Sequence, residues 1–257
     1  MGLLNKLGIG TGAGASRNVS RQTSPANPSG HSGANQRGAG TPPAAVGPHR
    51  APSAAPETNR VSNGLKEFLW NLDGLGRGTL LDLGPAWQTT LNFFIERGFR
   101  VTSDDLLHSW KDFLAEEEKR LQKAATSAEA IDVTPAGRAA RFVQENLQYS
   151  PSSFDAVLLW DNLDYLEPAV AKQTVACLTE VLRPGGIVFA MFHSKKPESF
   201  QRYRVADSNT LQVIGATAPC QAQRVYQNRE IQDLFGRFRT VKSFVGRDQL
   251  RESLFVK

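Results

Sequence analysis

Apolar residues after position 60 follow two alternating patterns. Between residues 61 and 73, and again between 87 and 97, they recur three and four positions apart, which predicts two amphipathic helices. The short apolar run Gly78–Gly84 predicts a buried strand that ends in a tight turn, and Phe99–Ser103 predicts a second strand. Strand and helix therefore alternate from the start of this region.

The alternation continues along the chain. Further helices are predicted over residues 106–125, from Thr134 and Pro135 onward, and over 168–182 and 227–238, and buried strands over 154–160 and 187–192. The last third differs, because two pairs of short strands flank turns at 207–209 and 246–248. The sequence thus predicts an α/β fold with a doubly wound, mostly parallel sheet and a C-terminal antiparallel hairpin.

Residues 1–60 have a different composition. Gly, Ala, Pro and Ser dominate this segment, which has no aromatic residue and cannot bury enough apolar surface to offset the entropy of ordering. We therefore expect a disordered tail over residues 1–60 and one folded domain over 61–257. The tail holds six basic residues and one acidic residue, so it accounts for the chain's net charge of +5. Its basic residues are scattered, whereas nucleic-acid binding favours dense clusters.

The cysteines and the apolar stretches exclude several classes of protein. Cys177 and Cys220 are far apart, which argues against a structural zinc site and a disulfide scaffold, and we expect no metal site. No segment approaches the length of a membrane span. We therefore expect a cytoplasmic protein without a membrane anchor, and the sequence does not indicate its oligomeric state.

Three segments carry a resemblance to a known family. TLLDLG at Thr79–Gly84, FDAVLLWDNLDYLEP at Phe154–Pro168 and LTEVLRPGGIVFAMF at Leu178–Phe192 are similar, in order and spacing, to motifs of class I S-adenosylmethionine-dependent methyltransferases. The chain resembles in particular uncharacterised bacterial members of that group. The resemblance implies a Rossmann-like fold, S-adenosylmethionine as cofactor, and methyl transfer to an acceptor that we expect to be a small molecule.

The expected cofactor crevice lies at the carboxyl ends of the parallel strands. Asp82 and Gly84 end the first of these strands, where a missing side chain lets the backbone approach a ligand. Asp105 is expected to accept hydrogen bonds from the ribose hydroxyls at the end of the next strand. Asp104 is the alternative because a shift of one residue exchanges the two side chains. Alternatively, these two carboxylates have a purely structural role and cap the following helix.

The first motif departs from the family's DxGxGxG pattern. This chain reads DLGPAWQ over Asp82–Gln88, so Ala86 and Gln88 stand at the second and third glycine positions. Gln88 or Thr89 can hydrogen-bond the cofactor's methionine carboxylate near a helix N-terminus, with Pro85 and Ala86 lining the turn. Alternatively, Trp87 and Gln88 narrow the pocket.

The third motif is less clear. The family's adenine-binding acid aligns with Val143, so Glu145 and Asn146 are the nearest polar candidates for that role. The local pattern from Pro135 is helical, whereas the family has a strand near Phe142. Both interpretations remain open at this stage.

The ends of two later strands supply further candidates. Trp160 either packs on the adenine or fills the core. Asp161 is the best candidate to orient an acceptor, with Asp164 and Tyr165 as alternatives. His193 is placed to act as a base, although a single histidine at a strand end is often structural.

The predicted hairpin contributes two cationic side chains. Arg202 and Arg204 alternate on one of its strands and would project to one face, where they could meet an anionic substrate. Alternatively, they guard an exposed sheet edge.

Three functions are consistent with these features. The leading hypothesis is S-adenosylmethionine-dependent methyl transfer, and the second is a non-catalytic methyltransferase-like binding protein with a degenerate cofactor motif. The third, a nucleic-acid methyltransferase tethered by its basic tail, is disfavoured because the folded part carries no net charge.

Overall fold

The computed structural model describes residues 57–126 and 132–257. Most of the expected tail, residues 1–56, lies outside the described residues. The folded region begins before the expected boundary at residue 60, because Glu57–Val61 forms a strand that pairs with a later one. No sequence pattern predicted this strand, since its residues are mostly polar and exposed.

The described residues form nine strands, six helices and one 3₁₀ turn. The strands are β1 Glu57–Val61, β2 Gly78–Asp82, β3 Phe99–Ser103, β4 Phe154–Trp160, β5 Leu182–His193, β6 Gln201–Val205, β7 Thr210–Gly215, β8 Arg239–Val245 and β9 Leu250–Val256. The helices are α1 Asn63–Leu72, α2 Gln88–Ile95, α3 Leu106–Thr126, α4 Pro135–Asn146, α5 Pro168–Val181 and α6 Asn228–Leu234, and the 3₁₀ turn is Asn162–Tyr165.

Local signals explain where two of the helices begin. The hydroxyl of Ser62 accepts a hydrogen bond from the backbone N–H of Leu65 and so caps α1. Thr134 caps α4 through the N–H of Gly137, with Pro135 in the first helical position. Both arrangements satisfy backbone donors that have no partner inside a helix.

The larger sheet confirms the expected fold class. Its strand order is β3-β2-β4-β5-β9-β8, in which β3, β2, β4 and β5 are parallel and β9 runs antiparallel to β5. Adjacent residues of β2 point to opposite faces, so Leu80 enters one apolar core and Leu81 the other. Helices cover both faces, which is the Rossmann-like, doubly wound architecture.

The helical interpretation of the segment around Phe142 is confirmed. α4 occupies that region, and the described residues between β3 and β4 form no strand. Phe142 is fully buried, with its ring 5.0 Å from that of Trp110 on α3. As a result, β3 is an edge strand of the larger sheet.

The expected hairpin forms the second, smaller sheet. β6 and β7 pair around the turn at 207–209, and β1 adds to the outer side of β7, giving the order β1-β7-β6. Tyr203 and Leu211 of this sheet are buried in the same core as Leu80. The small sheet therefore packs against the domain body near the ends of the parallel strands.

None of the helices within these described ranges is long and apolar enough to cross a membrane.

Candidate functional site

The carboxyl ends of β2, β3 and β4 meet where the sequence places the cofactor crevice. β2 lies between β3 and β4, and the N–H of Asp104 donates to the carbonyl of Asp82 at 2.8 Å. Trp160 is the last residue of β4. The expected crevice residues are therefore neighbours, as parallel-strand topology requires.

Asp82 faces into the protein. Its side chain is 1% exposed, and one carboxylate oxygen accepts hydrogen bonds from the Gly84 N–H at 3.0 Å and from the Trp160 indole N–H at 2.7 Å. Burial raises the pKa of Asp82 to about 6, against the lowering effect of these two bonds. This carboxylate thus fixes the turn after β2 and the indole ring.

Trp160 covers Gly84. A Cβ atom built on Gly84 would lie 2.6 Å from the indole nitrogen of Trp160, so the ring fills the space that the glycine leaves. The indole is 3% exposed and stacks on Tyr203 at 6.2 Å between ring centroids. Trp160 also has a φ of 56°, which is strained for a bulky residue and therefore needs support from its surroundings. In this structure Trp160 packs in an apolar core beside the turn after β2.

Both candidate ribose carboxylates are bonded to side chains. The Arg202 guanidinium lies 2.9 Å from each oxygen of Asp105. Asp105 also accepts from the N–H of His108, so it caps the start of α3 as the structural interpretation expected. Asp104 accepts a hydrogen bond from the hydroxyl of Tyr149. A ribose would have to compete with Arg202 or with Tyr149.

The remaining residues of the first motif differ in exposure and in their contacts. Pro85 is half-buried, Ala86 is exposed, and the exposed Gln88 donates to Asn92 at 2.6 Å within α2. The Arg204 guanidinium carbon lies over the Trp87 ring, 5.6 Å from the centroid of that ring. Whether Trp87 and Gln88 narrow or line a pocket stays a prediction, whereas Trp160 lies on Gly84 and Arg202 pairs with Asp105.

Glu145 and Asn146 are engaged in helical contacts. Glu145 forms an exposed ion pair with Arg120 of α3 at 2.7 Å. Asn146 donates to the carbonyl of Phe142 within α4 at 3.0 Å. Neither residue hydrogen-bonds to Asp82, Gly84 or the carboxylates after β3, so their adenine role stays a prediction that no contact supports.

The two hairpin arginines pair with carboxylates of the protein itself. Arg202 binds Asp105, and Arg204 lies 3.2 Å from Glu57 of β1. Both charges are therefore paired within the chain, and a role for them toward an anionic substrate stays a prediction.

A second polar cluster lies after β4 and β5. One oxygen of Asp164 accepts from the backbone N–H of His193 at 2.7 Å and lies 2.9 Å from its ring Nδ1. The His193 Nε2 atom lies 3.8 Å from a carboxylate oxygen of Asp161. Asp161 and His193, the two expected catalytic residues, are thus brought together, and Asp164 holds the imidazole.

Burial and charge shift the acid–base properties of this cluster. Burial raises the pKa of Asp161 to about 7 and also raises the pKa of Asp164. Burial alone would lower the pKa of His193, but its bond to Asp164 and the charge of Asp161 raise it above the ordinary value. Such shifts are common at functional sites, although ion-pair networks also cause them.

Several buried atoms of the cluster have unused hydrogen-bonding capacity. They lack a partner among the described residues and comprise Oδ2 of Asp161, Oδ1 of Asp164 and the hydroxyls of Tyr165 and Tyr203. Buried polar groups usually have partners. The end of β4 can therefore bond a polar group that is not part of this chain.

A cavity of about 400 Å³ opens beside His193. It lies between one face of the small sheet and the turn before β9, and its polar lining includes Arg60, His193, Lys195, Gln201, Tyr203 and Asp248. Its volume falls in the range of small-molecule sites. In the part of the chain that the structure describes, no group of three or more His, Cys, Asp or Glu residues could hold a metal ion.

In this arrangement, side chains of the protein itself lie in the crevice where the sequence places S-adenosylmethionine. The glycine cradle is filled by an indole, and the carboxylate that would hold the ribose is paired with Arg202. The cavity beside His193 is not lined by Asp82, Gly84 or Asp105. A nucleoside at the ends of β2 and β3 would therefore have to displace the Trp160 indole and the Arg202 guanidinium.

No protein-family model and no curated protein sequence matches the chain. Solved structures do show similarity. The 1,6-didemethyltoxoflavin-N1-methyltransferase of Burkholderia thailandensis, determined with 1,6-didemethyltoxoflavin and S-adenosylhomocysteine, is 18% identical, with 76% of this chain and 79% of that chain covered and a TM-score of 0.41.

Two further structures are similar to the same extent. An S-adenosylmethionine-dependent methyltransferase from Mesorhizobium loti is 14% identical over 74% of this chain and 96% of its own, with a TM-score of 0.44. One from Aquifex aeolicus is 11% identical over 74% of this chain and 88% of its own, with a TM-score of 0.38. At such identities these likenesses concern the fold alone. The strand order of the larger sheet identifies the fold as Rossmann-like and doubly wound.

Proposed function

We propose that the chain is a non-catalytic, methyltransferase-like binding protein. The single observation that carries this proposal is the position of Trp160, whose indole lies on Gly84 and bonds Asp82 where a cofactor would enter. The absence of the second and third motif glycines, replaced by Ala86 and Gln88, agrees with it.

The energy needed to open the crevice supports the proposal. A nucleoside would have to break the bond between Trp160 and Asp82 and the ion pair between Arg202 and Asp105, each worth about 1.5–3 kcal/mol for a charged hydrogen bond. Moving Trp160 would also expose an indole that is now buried. A cost of about 4 kcal/mol lowers an affinity roughly a thousandfold.

The binding role is proposed for the cavity beside His193. The cavity has a suitable volume, and His193 and Tyr203 are among the residues that line it. We propose a small molecule as the partner at this place. The protein's carboxylate and imidazole groups near this cavity would then recognise the small molecule and not catalyse a reaction. This follows because the proposal leaves no site beside them for a second reactant.

Methyl transfer to a small-molecule acceptor is the second candidate function. It is favoured by Asp82 and Asp105, which do lie at the ends of adjacent strands, and by the cluster of Asp161, Asp164 and His193 next to a cavity. This function requires the β6–β7 hairpin, with Arg202 and Tyr203, to move away together with Trp160.

Labelled methyl transfer separates the two functions. The full chain is incubated with methyl-labelled S-adenosylmethionine and a metabolite extract, with heat-denatured protein as the blank. The proposal expects no label above the blank. Incorporation by the parent chain that is lost in Asp105→Asn would establish the second candidate function instead.

A further inference from the structure

The outer edge of β3 carries backbone groups that are free to pair. The N–H of Asp104 bonds the carbonyl of Asp82, and the carbonyl of Gly98 accepts from Gly78, so the even-numbered residues of this segment turn their backbone groups toward β2. In a parallel ladder the alternate residues then face outward. The N–H and C=O groups of Phe99, Val101 and Ser103 therefore point away from the sheet.

Within the described ranges, no strand other than β2 pairs with β3, so its outer edge has no partner strand there. β3 ends the strand order of the larger sheet, and the chain passes from β3 through α3 and α4 to β4. Apart from the ladder to β2, residues 99–103 make no backbone hydrogen bond to another described residue. An unprotected edge of this kind is a template for another strand.

We propose that β3 pairs with β3 of a second copy of this chain, antiparallel, about a twofold axis at Thr102. This inference does not depend on the proposed function. An antiparallel arrangement lets the same edge serve both copies, as a closed two-fold dimer requires. Val101 of each copy then lies opposite Ser103 of the other and exchanges two hydrogen bonds with it.

Charge complementarity selects this register. With Thr102 opposite itself, Arg100 of each copy lies opposite Asp104 of the other. Arg100 is exposed and has no ion pair in the described part of the chain. One carboxylate oxygen of Asp104 accepts the hydrogen bond from Tyr149, and the other oxygen can accept a bond from Arg100. Opposite charges and a Thr–Thr pair across neighbouring strands both stabilise a sheet. A second copy thus satisfies both the backbone groups and the unpaired Arg100.

The strand's side chains agree with a polar, weak interface. Val101, Thr102 and Ser103 are half-buried, so the contact adds little apolar surface. The pairing therefore depends on backbone hydrogen bonds and on the two Arg–Asp contacts. We expect a monomer–dimer equilibrium that shifts with concentration.

The oligomeric state of the full chain tests the inference. Light scattering after size exclusion, between about 5 and 500 µM, is expected to show a dimer that dissociates on dilution. Arg100→Asp should raise the dissociation constant at least tenfold. The double variant Arg100→Asp with Asp104→Arg restores the cross-strand charges and should restore the dimer.

A backbone variant provides the second readout. Val101→Pro removes an outward N–H while leaving the ladder to β2 intact, because proline is tolerated at sheet edges. It should abolish dimers, and its melting temperature shows whether the domain is folded. A parent chain that stays monomeric at the highest concentration overturns the inference. So does a dimer that persists in both Arg100→Asp and Val101→Pro.

Discussion

The indole N–H of Trp160 donates to the buried carboxylate of Asp82 at 2.7 Å. The same oxygen accepts the N–H of Gly84, so one carboxylate holds both the turn after β2 and the ring that covers it. The bond also supports the left-handed backbone of Trp160. The turn after β2 and the indole ring are thereby held together at the edge of the core.

Loss of this bond should destabilise the domain. Trp160→Phe keeps an aromatic ring but leaves the Asp82 oxygen with Gly84 as its remaining partner, at a cost of about 1.5–3 kcal/mol in the free energy of unfolding. Trp70→Phe is the matched control, because Trp70 is 74% exposed and should change stability by under about 0.5 kcal/mol. Urea unfolding measures both, and equal stabilities of the two variants would contradict the role of the Trp160–Asp82 bond.

The ion pair between Arg202 and Asp105 should couple the hairpin to the end of β3. A double-mutant cycle with Arg202→Met and Asp105→Asn is expected to give a coupling energy of about 1–3 kcal/mol, since Arg202 reaches both carboxylate oxygens and is largely buried. The Arg204–Glu57 pair is more exposed and should couple by less than about 1 kcal/mol. Similar values for the two pairs would show that Arg202 does not hold the crevice closed.

Two truncations should locate the start of the folded region. Removal of residues 1–56 leaves every described contact in place and should change the melting temperature little. Removal of residues 1–61 deletes β1 and Arg60, whose guanidinium pairs with the buried Glu252.

Loss of one member of a buried ion pair costs about 3–5 kcal/mol, which corresponds to a fall of roughly 6–20 °C for a domain of this size. Differential scanning calorimetry measures both truncations. Equal melting temperatures would show that β1 adds no stability.

Asp161 should make stability depend on pH. Its pKa is raised from the usual 3.8 to about 7 by burial, so the folded protein binds its proton more tightly than the unfolded chain does. The stabilisation is complete below about pH 4 and is lost as the pH rises through about 7. Asp161→Asn cannot ionise and should gain stability relative to the parent between those values, by an amount on the order of a few kcal/mol.

Urea unfolding at several pH values between about 4.5 and 8 measures this difference. The exposed Asp207 has a lowered pKa, so Asp207→Asn is a control that should show no gain at high pH. A constant difference between Asp161→Asn and the parent would contradict a buried, protonated carboxyl.

Much of the fold could be predicted from the sequence because its elements have strong local signals. Pro135 after Thr134 predicted the start of α4, and the apolar run from Phe154 to Trp160 predicted β4. β1 was missed because its residues are mostly polar and exposed, and it is held by pairing with β7, a contact distant in sequence. Periodicity cannot detect such a strand.

The position of the candidate site could be predicted from the sequence, but the side-chain arrangement within it could not. Topology places Asp82, Asp105 and Trp160 at neighbouring strand ends, and the structure brings them together. Packing of the small sheet determines the direction of the Trp160 side chain. It also determines whether Arg202 reaches Asp105. The alternation of Arg202 and Arg204 along a strand predicted that they share a face, but it did not predict the carboxylates with which they pair.

The most direct test of the closed crevice is calorimetric titration of the full chain with S-adenosylmethionine. Because Trp160 and Arg202 occupy the cofactor's place, we predict no saturable heat up to about 1 mM cofactor and no rise in melting temperature. A dissociation constant below about 100 µM would contradict the account, since binding of that strength requires Gly84 and Asp105 to be open to the nucleoside.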